Sequence, residues 1–322
     1  MLMLGVIYIT EQTFWTSMEE IKPVKSGWYN AFRPWSLHGA VIPVLIGGVI
    51  AYHDEYFCWW IFLMVVVCGC LLQSAANLLN TYGDFVKGTD TIENETRSPE
   101  LVTGKIKPKS ILLMGMMCLG ITALCGLVFI WYIGWGILLF GILGLAGAGL
   151  YTVGISYKYH AMGLISVFFM MGILMPMGTY YVMSGLLSWE VLIMSLPNAF
   201  ILTAVLSGNE TRDYYEDKKA RVKTLSSFLS HEGSLKLYYF LNVISFPILL
   251  VAIVFGILPW TCGLAFISLI DLYRLTKNGQ RINENKNSNI LLVPLSFKLN
   301  WHFGVLLVAG YLIGYYALSG MI

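Results

Sequence analysis

Residues 73–90, QSAANLLNTYGDFVKGTD, end a long apolar run with a group of amide and carboxylate side chains. Asn77, Asn80 and Asp84 follow one another at spacings of three and four residues, so a helix carries all three on one face. Asp90 comes shortly after the point where a glycine is predicted to end that helix. This face is the first half of a predicted ligand site.

A second stretch, NETRDYYEDKK at residues 209–219, has the same pattern at the end of another apolar run. Asn209, Asp213 and Asp217 are four residues apart and therefore also share one helical face. Carboxylates four residues apart repel each other and need a counter-charge. Hard oxygen ligands suit Mg²⁺, which takes one or two carboxylates together with water and substrate phosphates. The two faces together predict one divalent-cation site.

The composition of the chain is typical of a polytopic membrane protein. Of its 322 residues, 57% are hydrophobic and 12% are charged, whereas roughly 25% are charged in soluble proteins. The six cysteines all lie in apolar runs without a C-x-x-C pair, which predicts buried thiols rather than disulfides or a zinc site. We therefore predict an all-α membrane bundle whose partner is the lipid bilayer and not nucleic acid.

Nine apolar runs are long enough to cross a bilayer. They lie at 37–53, 57–79, 110–130, 132–152, 161–184, 187–208, 237–256, 258–273 and 301–320. All 20 Lys and Arg residues fall in the N-terminal segment and in alternate connections, and the other connections carry only Asp54, Glu55 and Glu190. By the positive-inside rule the N-terminus is cytoplasmic and the C-terminus lies outside. Both acidic faces are then predicted on the cytoplasmic side of the inner (cytoplasmic) membrane.

The chain is predicted to form one transmembrane domain, residues 31–322, after a cytoplasmic segment at 1–30. The acidic motifs lie in or beside the cytoplasmic connections at 85–109 and 209–236, which are long enough to cover a site. The sequence from Met18, MEEIKPVKSG, is a more ordinary N-terminus than the apolar residues before it. Met18 is therefore an alternative start of translation.

Basic residues flank both acidic motifs. They are Arg97, Lys105, Arg212, Lys218, Arg221 and Lys223. Mg²⁺ together with Arg and Lys is the usual means of stabilising negative charge on phosphoryl oxygens. The ligand is therefore predicted to carry a diphosphate head at the membrane surface and an apolar tail inside the bundle. The Met- and Phe-rich stripe at 167–175, VFFMMGILM, is either ordinary packing or a pocket for that tail.

These motifs resemble those of the UbiA superfamily of intramembrane aromatic prenyltransferases. In its 1,4-dihydroxy-2-naphthoate branch, which serves menaquinone synthesis, the first motif is N-D-Y-x-D-x-x-x-G-x-D, and residues 80–90 match it except at Thr81. The second motif, N-x-x-R-D-x-x-x-D, is matched by residues 209–217. The segments RPWSLHGAVIPVLIG at 33–47 and GTYYV at 178–182 are also similar to that branch.

The resemblance implies a nine-helix bundle whose two Asp-rich motifs face the cytoplasm. The implied ligands of a Mg²⁺–diphosphate are Asn80, Asp84, Asp90, Asp213 and Asp217, with Asp84 and Asp213 as the catalytic residues. The implied diphosphate contacts are Asn80, Arg97, Lys105, Asn209, Arg212, Lys218 and Lys223. In the implied reaction an allylic polyprenyl diphosphate ionises to a carbocation, which attacks an electron-rich aromatic acceptor.

Three positions depart from the family pattern. Thr81 replaces an Asp of the first motif, Leu164 replaces a Glu at the start of the fifth helix, and Arg221-Val222 replaces Gly-Lys. Leu164 bears on the acceptor, so 4-hydroxybenzoate, homogentisate, tetrapyrrole and lipid-phosphate acceptors stay open beside 1,4-dihydroxy-2-naphthoate. A cation-coupled transporter is a competing class, but transporters place their ion sites near the membrane midplane. The acidic motifs here lie at one surface beside basic residues, which favours a diphosphate.

Overall fold

The computed structural model describes residues 27–92, 99–282 and 286–319. The two possible start sites, most of the predicted segment 1–30 and the predicted diphosphate contact Arg97 lie outside the described residues. The described residues form helices and one isolated bridge, between His160 and Lys223, and no longer strand. The prediction of an all-α fold is confirmed for this part of the chain.

Fifteen α-helices occur in the described ranges. They are α1 (Trp28–Phe32), α2 (His38–His53), α3 (Trp59–Val86), α4 (Pro99–Val102), α5 (Pro108–Ile133), α6 (Ile137–Gly149), α7 (Gly163–Val167), α8 (Met175–Ser184), α9 (Trp189–Arg212), α10 (Tyr214–Lys219), α11 (His231–Val243), α12 (Ser245–Val254), α13 (Leu269–Gln280), α14 (Lys286–Ile290) and α15 (Leu292–Ser319). Short 3₁₀ helices lie at Pro34–Ser36, Tyr157–Tyr159, Ser226–Phe228 and Trp260–Ser268, and a π-helix at Phe168–Leu174 joins α7 to α8.

Each of the nine predicted runs corresponds to helical structure, and seven helical segments are long and apolar enough to cross a membrane. In the described residues these seven are Trp28–His53, Trp59–Val86, Pro108–Ile133, Gly163–Ser184, Trp189–Arg212, His231–Val254 and Ser288–Tyr316. The chain is therefore a polytopic, helical membrane protein by the length and composition of its helices.

Two of the nine predicted runs are shorter or more polar than a spanning helix. The run predicted at 132–152 contains α6, whose 13 residues extend about 20 Å at 1.5 Å per residue, less than the ~30 Å of a bilayer core. The run predicted at 258–273 forms a 3₁₀ helix followed by α13. Because α13 carries Asp271, Arg274 and Lys277, it is too polar to be counted with the other seven.

The connection between the last two predicted runs is much shorter than those runs imply. The runs at 258–273 and 301–320 leave residues 274–300 between them, but α13 continues to Gln280 and α15 begins at Leu292. Polar residues continue both helices there, because amide and basic side chains are tolerated where a helix leaves the apolar layer. The remaining turn packs onto the second acidic motif, since Asn289 Nδ2 donates to the Arg212 carbonyl at 2.9 Å.

Helices α3 and α9 carry the two acidic motifs to one end of the bundle. Helix α9 is largely buried and contacts α2, α11, α12, α15 and the π-helix. Helix α3 packs on α2 and α5 and reaches Val86, so the first motif lies on its last turns. Arg33, just before α2, lies within range of the charges of Asp84 from α3 and Arg212 from α9. The two motifs therefore lie close together.

Candidate active site

The first half of the site depends on close packing between Gly83 and Thr152. Gly83 lies on the last turn of α3, and a Cβ added there would be 2.8 Å from the Thr152 Cβ and 2.9 Å from the Thr152 carbonyl oxygen. Because glycine has no side chain, the connection between α6 and α7, residues 150–162, packs directly on α3. This contact brings Lys158 and Tyr159 to the first acidic motif.

Lys158 and Tyr159 bind the two polar side chains at the end of α3. Lys158 Nζ donates to Asn80 Oδ1 at 2.7 Å and to both carboxylate oxygens of Asp84 at 2.9 Å. The Tyr159 hydroxyl donates to Asp84 Oδ1 at 2.6 Å. Burial raises the pKa of Tyr159 and the neighbouring Asp84 charge raises it further, so the phenol keeps its proton. Three oxygens thus converge on one cation.

Sequence analysis did not select Lys158 or Tyr159. A single basic residue in a connection is expected to be a topology signal, and Lys158 was interpreted only in that way. The available signal was that Lys158 is the only Asp, Glu, Lys or Arg between α6 and α7. A lone charge in a short connection between apolar helices needs a partner, and Asp84 is that partner.

We expect Lys158→Met to destabilise the metal-free protein by about 1–3 kcal/mol, since it removes a charge-assisted partner from two half-buried side chains. Mg²⁺ with a prenyl diphosphate should restore the loss, because it supplies the missing positive charge. Thermal unfolding in EDTA and in Mg²⁺ with geranyl diphosphate measures both effects. Lys236→Met, which breaks an exposed pair with Glu232, is the matched control. An unchanged Tm for Lys158→Met in EDTA would contradict this prediction.

The other polar residues of the first motif have different partners. Asn77 shares the helical face but does not join the cluster, because its Nδ2 donates to Ser36 Oγ at 2.9 Å and so holds the segment before α2. Thr81, which departs from the family pattern, accepts a hydrogen bond from Arg33 Nη2 at 3.3 Å. Asp90 is buried, and its N–H faces the Asp84 carbonyl at 3.5 Å. The chain after α3 therefore turns back toward the motif.

The second motif is organised by an arginine fork. Arg212 Nε and Nη2 each donate to one oxygen of Asp213, both at 2.8 Å. Asp217 is buried one turn further, and its N–H donates to the Asp213 carbonyl at 2.9 Å. Lys218 donates to the Tyr214 hydroxyl, and Asn209 Nδ2 makes a long bond within its own helix. The fork thus pairs Arg212, a side chain suited to an anion, with Asp213, a side chain suited to a cation.

Tyr151 lies between the two motifs. Burial raises its pKa well above the ordinary value, and the negative charges of Glu210, Asp84 and Asp217 raise it further. Asp84 belongs to the first motif, whereas Glu210 and Asp217 belong to the second. The Tyr151 phenol is therefore close enough to carboxylates of both motifs to be affected by their charges, which supports a single shared site.

Two predicted basic contacts lie away from the carboxylates. Lys105 is exposed after α4 and has no hydrogen bond or ion pair with another described residue. The Lys223 side chain is exposed, and its carbonyl accepts the Ala161 N–H at 2.9 Å, which joins the loop after α10 to the connection that carries Lys158. Neither side chain therefore forms an ion pair with a carboxylate of the motifs in the described residues.

The donor set fits a hard cation that is completed by its substrate. No group of three or more His, Cys, Asp and Glu side chains in the described ranges is close enough to hold a metal ion alone. Mg²⁺ does not need such a cage, since it is commonly bound by one or two carboxylates, water and phosphate oxygens. The oxygens of Asn80 and Asp84 already surround a cationic atom, Lys158 Nζ.

The sequence profile of the UbiA prenyltransferase family matches residues 40–290. The chain belongs to the UbiA prenyltransferase family. The family predicted from the two Asp motifs is therefore confirmed. The 1,4-dihydroxy-2-naphthoate octaprenyltransferase of Bacillus subtilis (strain 168) is 29% identical to this UbiA-family chain over 286 residues, which cover 88% of the chain and 91% of that relative. The UbiA prenyltransferase domain-containing protein 1 of Xenopus tropicalis is 30% identical over 287 residues, which cover 87% of the chain and 80% of that relative.

The fold is shared with solved UbiA homologues. The structure of a UbiA homolog from Archaeoglobus fulgidus bound to GPP and Mg²⁺ has a TM-score of 0.56 and 15% sequence identity, covering 87% of this chain and 99% of that one. At this identity the likeness establishes a common arrangement of helices. The family assignment rests on the sequence profile, and the likeness shows the fold.

Proposed function

We propose that this UbiA-family protein transfers a polyprenyl group from an allylic polyprenyl diphosphate to an aromatic acceptor with Mg²⁺ as cofactor. We further propose 1,4-dihydroxy-2-naphthoate as the acceptor, in menaquinone synthesis. The observation that carries the proposal is the convergence of Asn80 and Asp84 on Lys158 Nζ, near the Arg212–Asp213 pair of the second motif. The Archaeoglobus homolog bound to GPP and Mg²⁺ supports the donor and the metal, and the Bacillus relative supports the acceptor.

In this proposal the carboxylates hold the metal and the basic side chains hold the diphosphate. The metal ligands are Asn80, Asp84, Asp90, Asp213 and Asp217. The diphosphate contacts are Asn80, Arg97, Lys105, Asn209, Arg212, Lys218 and Lys223, and we add Lys158 because its ammonium group already binds Asp84. When bound, Mg²⁺ would neutralise charge that develops on the leaving diphosphate. Arg212 suits a phosphate because its fork, now on Asp213, matches two oxygens at once.

An apolar cavity suits the prenyl tail. It has a volume of about 310 Å³ and lies between α6, the π-helix and α8, where it is lined by Phe140, Phe169, Met170 and Met177 among others. The Met- and Phe-rich stripe, which the sequence left open as packing or pocket, thus lines a cavity. We propose that the cavity receives part of the tail, and that its apolar walls keep water from the allylic cation.

The site is proposed to face the cytoplasm. We propose nine membrane segments, in which α6 and the Trp260–Gln280 segment join the seven long helices, with the N-terminus inside and the C-terminus outside. The distribution of Lys and Arg supports this topology. Cysteine-accessibility labelling of Lys105→Cys and Glu55→Cys in sealed vesicles tests it, since the two sites should react from opposite sides.

The function is tested with membranes that contain the full chain, a labelled polyprenyl diphosphate and 1,4-dihydroxy-2-naphthoate, in Mg²⁺ and in EDTA. A prenylated naphthalene product that forms only with Mg²⁺ is the expected result. Mg²⁺-dependent binding of the diphosphate without product would reject this acceptor and direct the search to other hydroxyaromatic acceptors, consistent with Leu164 in place of Glu. No binding of the diphosphate would reject the prenyltransferase proposal and favour the cation-coupled transporter.

We expect Arg212→Ala to raise the KM for the prenyl diphosphate by about ten- to a hundredfold, with a smaller effect on kcat, because it removes a charge-assisted contact to the diphosphate. Steady-state transfer at varied diphosphate concentration measures both constants. Arg274→Ala, which removes an arginine that contacts Asp271 outside the two motifs, is the matched control. An unchanged KM in Arg212→Ala would count against its role.

A further inference from the structure

Glu210 is a buried carboxylate of the second motif that the proposed metal and diphosphate site does not use. It lies near the end of α9 with 4% of its surface exposed. Its Oε2 accepts the backbone N–H of Ser226 at 3.0 Å, whereas its Oε1 has no hydrogen-bond partner among the described residues. Oε1 is not one of the fully enclosed polar atoms without a partner. It is therefore accessible to a hydrogen-bond donor of a bound group.

Glu210 Oε1 and the Tyr151 hydroxyl face one small space beside Gly163. A Cβ added to Gly163 would lie 3.4 Å from Glu210 Oε1, 3.5 Å from the Tyr151 hydroxyl and 3.4 Å from Leu206 Cδ2. The Tyr151 hydroxyl also has no hydrogen bond to any residue that the structure describes. Because residue 163 has no side chain, the space between the two oxygens stays open.

This space adjoins the proposed diphosphate site. Tyr151 belongs to the connection whose Lys158 binds Asp84, and Glu210 lies between Asn209 and Arg212 at the end of α9. Leu206 supplies an apolar wall. A group bound here would therefore lie next to the leaving diphosphate. The apolar surface of Leu206 would contact an aromatic ring that carries this group.

We propose that the space framed by Glu210, Tyr151 and Gly163 binds a hydroxyl group of the aromatic acceptor. The acceptor hydroxyl donates to Glu210 Oε1 and accepts from the Tyr151 hydroxyl. A hydroxyl suits this position because it can donate and accept at the same time. A carboxylate in this position would be repelled by Glu210. The hydrogen bond to a carboxylate increases electron density on the hydroxyl oxygen and hence on the ring that attacks the allylic carbon. This inference rests on the proposed function, since it specifies where the acceptor of that reaction lies.

Glu210→Gln and Gly163→Ala test the site without removing its framework. Gln keeps an oxygen for the Ser226 N–H, and an Ala Cβ at residue 163 makes contacts of 3.4–3.5 Å, which are ordinary packing distances. Both variants are expected to raise the KM for the hydroxyaromatic acceptor by about tenfold or more. Their affinity for geranyl diphosphate with Mg²⁺ should be unchanged. Methylation of the acceptor hydroxyl should slow turnover by the wild type, because it removes the hydrogen bond to Glu210. It should not slow turnover further in Glu210→Gln, in which that hydrogen bond is already weakened.

The matched controls are Gly120→Ala, where an added Cβ meets nothing within 4 Å, and Glu190→Gln, which alters a carboxylate bonded to Tyr311 at the other end of α9. Both should keep the wild-type acceptor KM. The proposal is overturned if Glu210→Gln and Gly163→Ala keep that KM, or if geranyl diphosphate binding weakens as much as acceptor binding. If the wild type binds geranyl diphosphate but prenylates no hydroxyaromatic acceptor, the proposed function fails and this site fails with it.

Discussion

Asp84→Asn is expected to reduce prenyl transfer by about a thousandfold or more, because it removes the carboxylate charge that would hold Mg²⁺ against the diphosphate. The bundle should remain folded. Asn has the shape of Asp, and its side-chain oxygen can still accept from the Tyr159 hydroxyl, which lies 2.6 Å from Asp84 Oδ1. Lys158 loses one of its two acceptors on this side chain, because the Asn amide nitrogen is a donor, and it keeps a hydrogen bond to the amide oxygen. Single-turnover product formation at saturating prenyl diphosphate and Mg²⁺ is the measurement.

The chain offers a close control for Asp84→Asn. Asp54 also accepts a tyrosine hydroxyl at 2.6 Å, from Tyr180, at the opposite end of the bundle. Asp54→Asn therefore disturbs the same kind of bond and should leave single-turnover transfer close to wild type. Transfer retained by Asp84→Asn, with Mg²⁺ still required, would overturn the assignment of Asp84 as a metal ligand.

Helical spacing was sufficient to predict the polar residues that end α3, but it did not show that α9 ends at Arg212 and that Asp217 lies in a separate helix, α10. Asn80 and Asp84 are one turn apart on α3, and both contact the same ammonium group. Spacing along one helix cannot show what a distant connection brings, however. Lys158 reaches Asp84 only because Gly83 allows close packing against Thr152. The helices α4, α5 and α6 lie between Gly83 and Thr152 in the chain. Spacing along α3 also does not show that Asn77, on the same face, binds Ser36 in the segment before α2.

The number of membrane segments could not be predicted from apolar composition alone. Apolar composition located all nine helical segments, but it did not reveal that α6 is short or that the segment before α13 is a 3₁₀ helix. A run of apolar residues measures hydrophobicity, whereas the length of a helix also depends on backbone geometry and on polar residues at its ends. Glu210 was missed because the motif leaves its position unspecified, and only the fold brings it to Gly163.

Asp213→Asn is expected to be about as severe as Asp84→Asn, and the double variant is expected to be little worse than either. Both carboxylates are proposed to hold one Mg²⁺–diphosphate, and residues that act as a unit lose their joint contribution when either is removed. In the folded chain Asp213 is held by both nitrogens of the Arg212 fork at 2.8 Å. The Asn variant loses one of these acceptors and its charge, but it keeps the side-chain shape.

The Kd for geranyl diphosphate in Mg²⁺, measured for the wild type, both single variants and the double variant, distinguishes one site from two. A shared site gives a double variant that binds about as weakly as the weaker single variant, because the metal–diphosphate unit is already lost. Independent sites would instead give losses that multiply, and that result would reject the two-motif site. Asp271→Asn is the control, since Asp271 is another buried carboxylate near an arginine and a lysine but lies outside the motifs. It should keep the wild-type Kd, which would show that the loss in Asp213→Asn comes from the site and not from breaking an arginine–carboxylate contact.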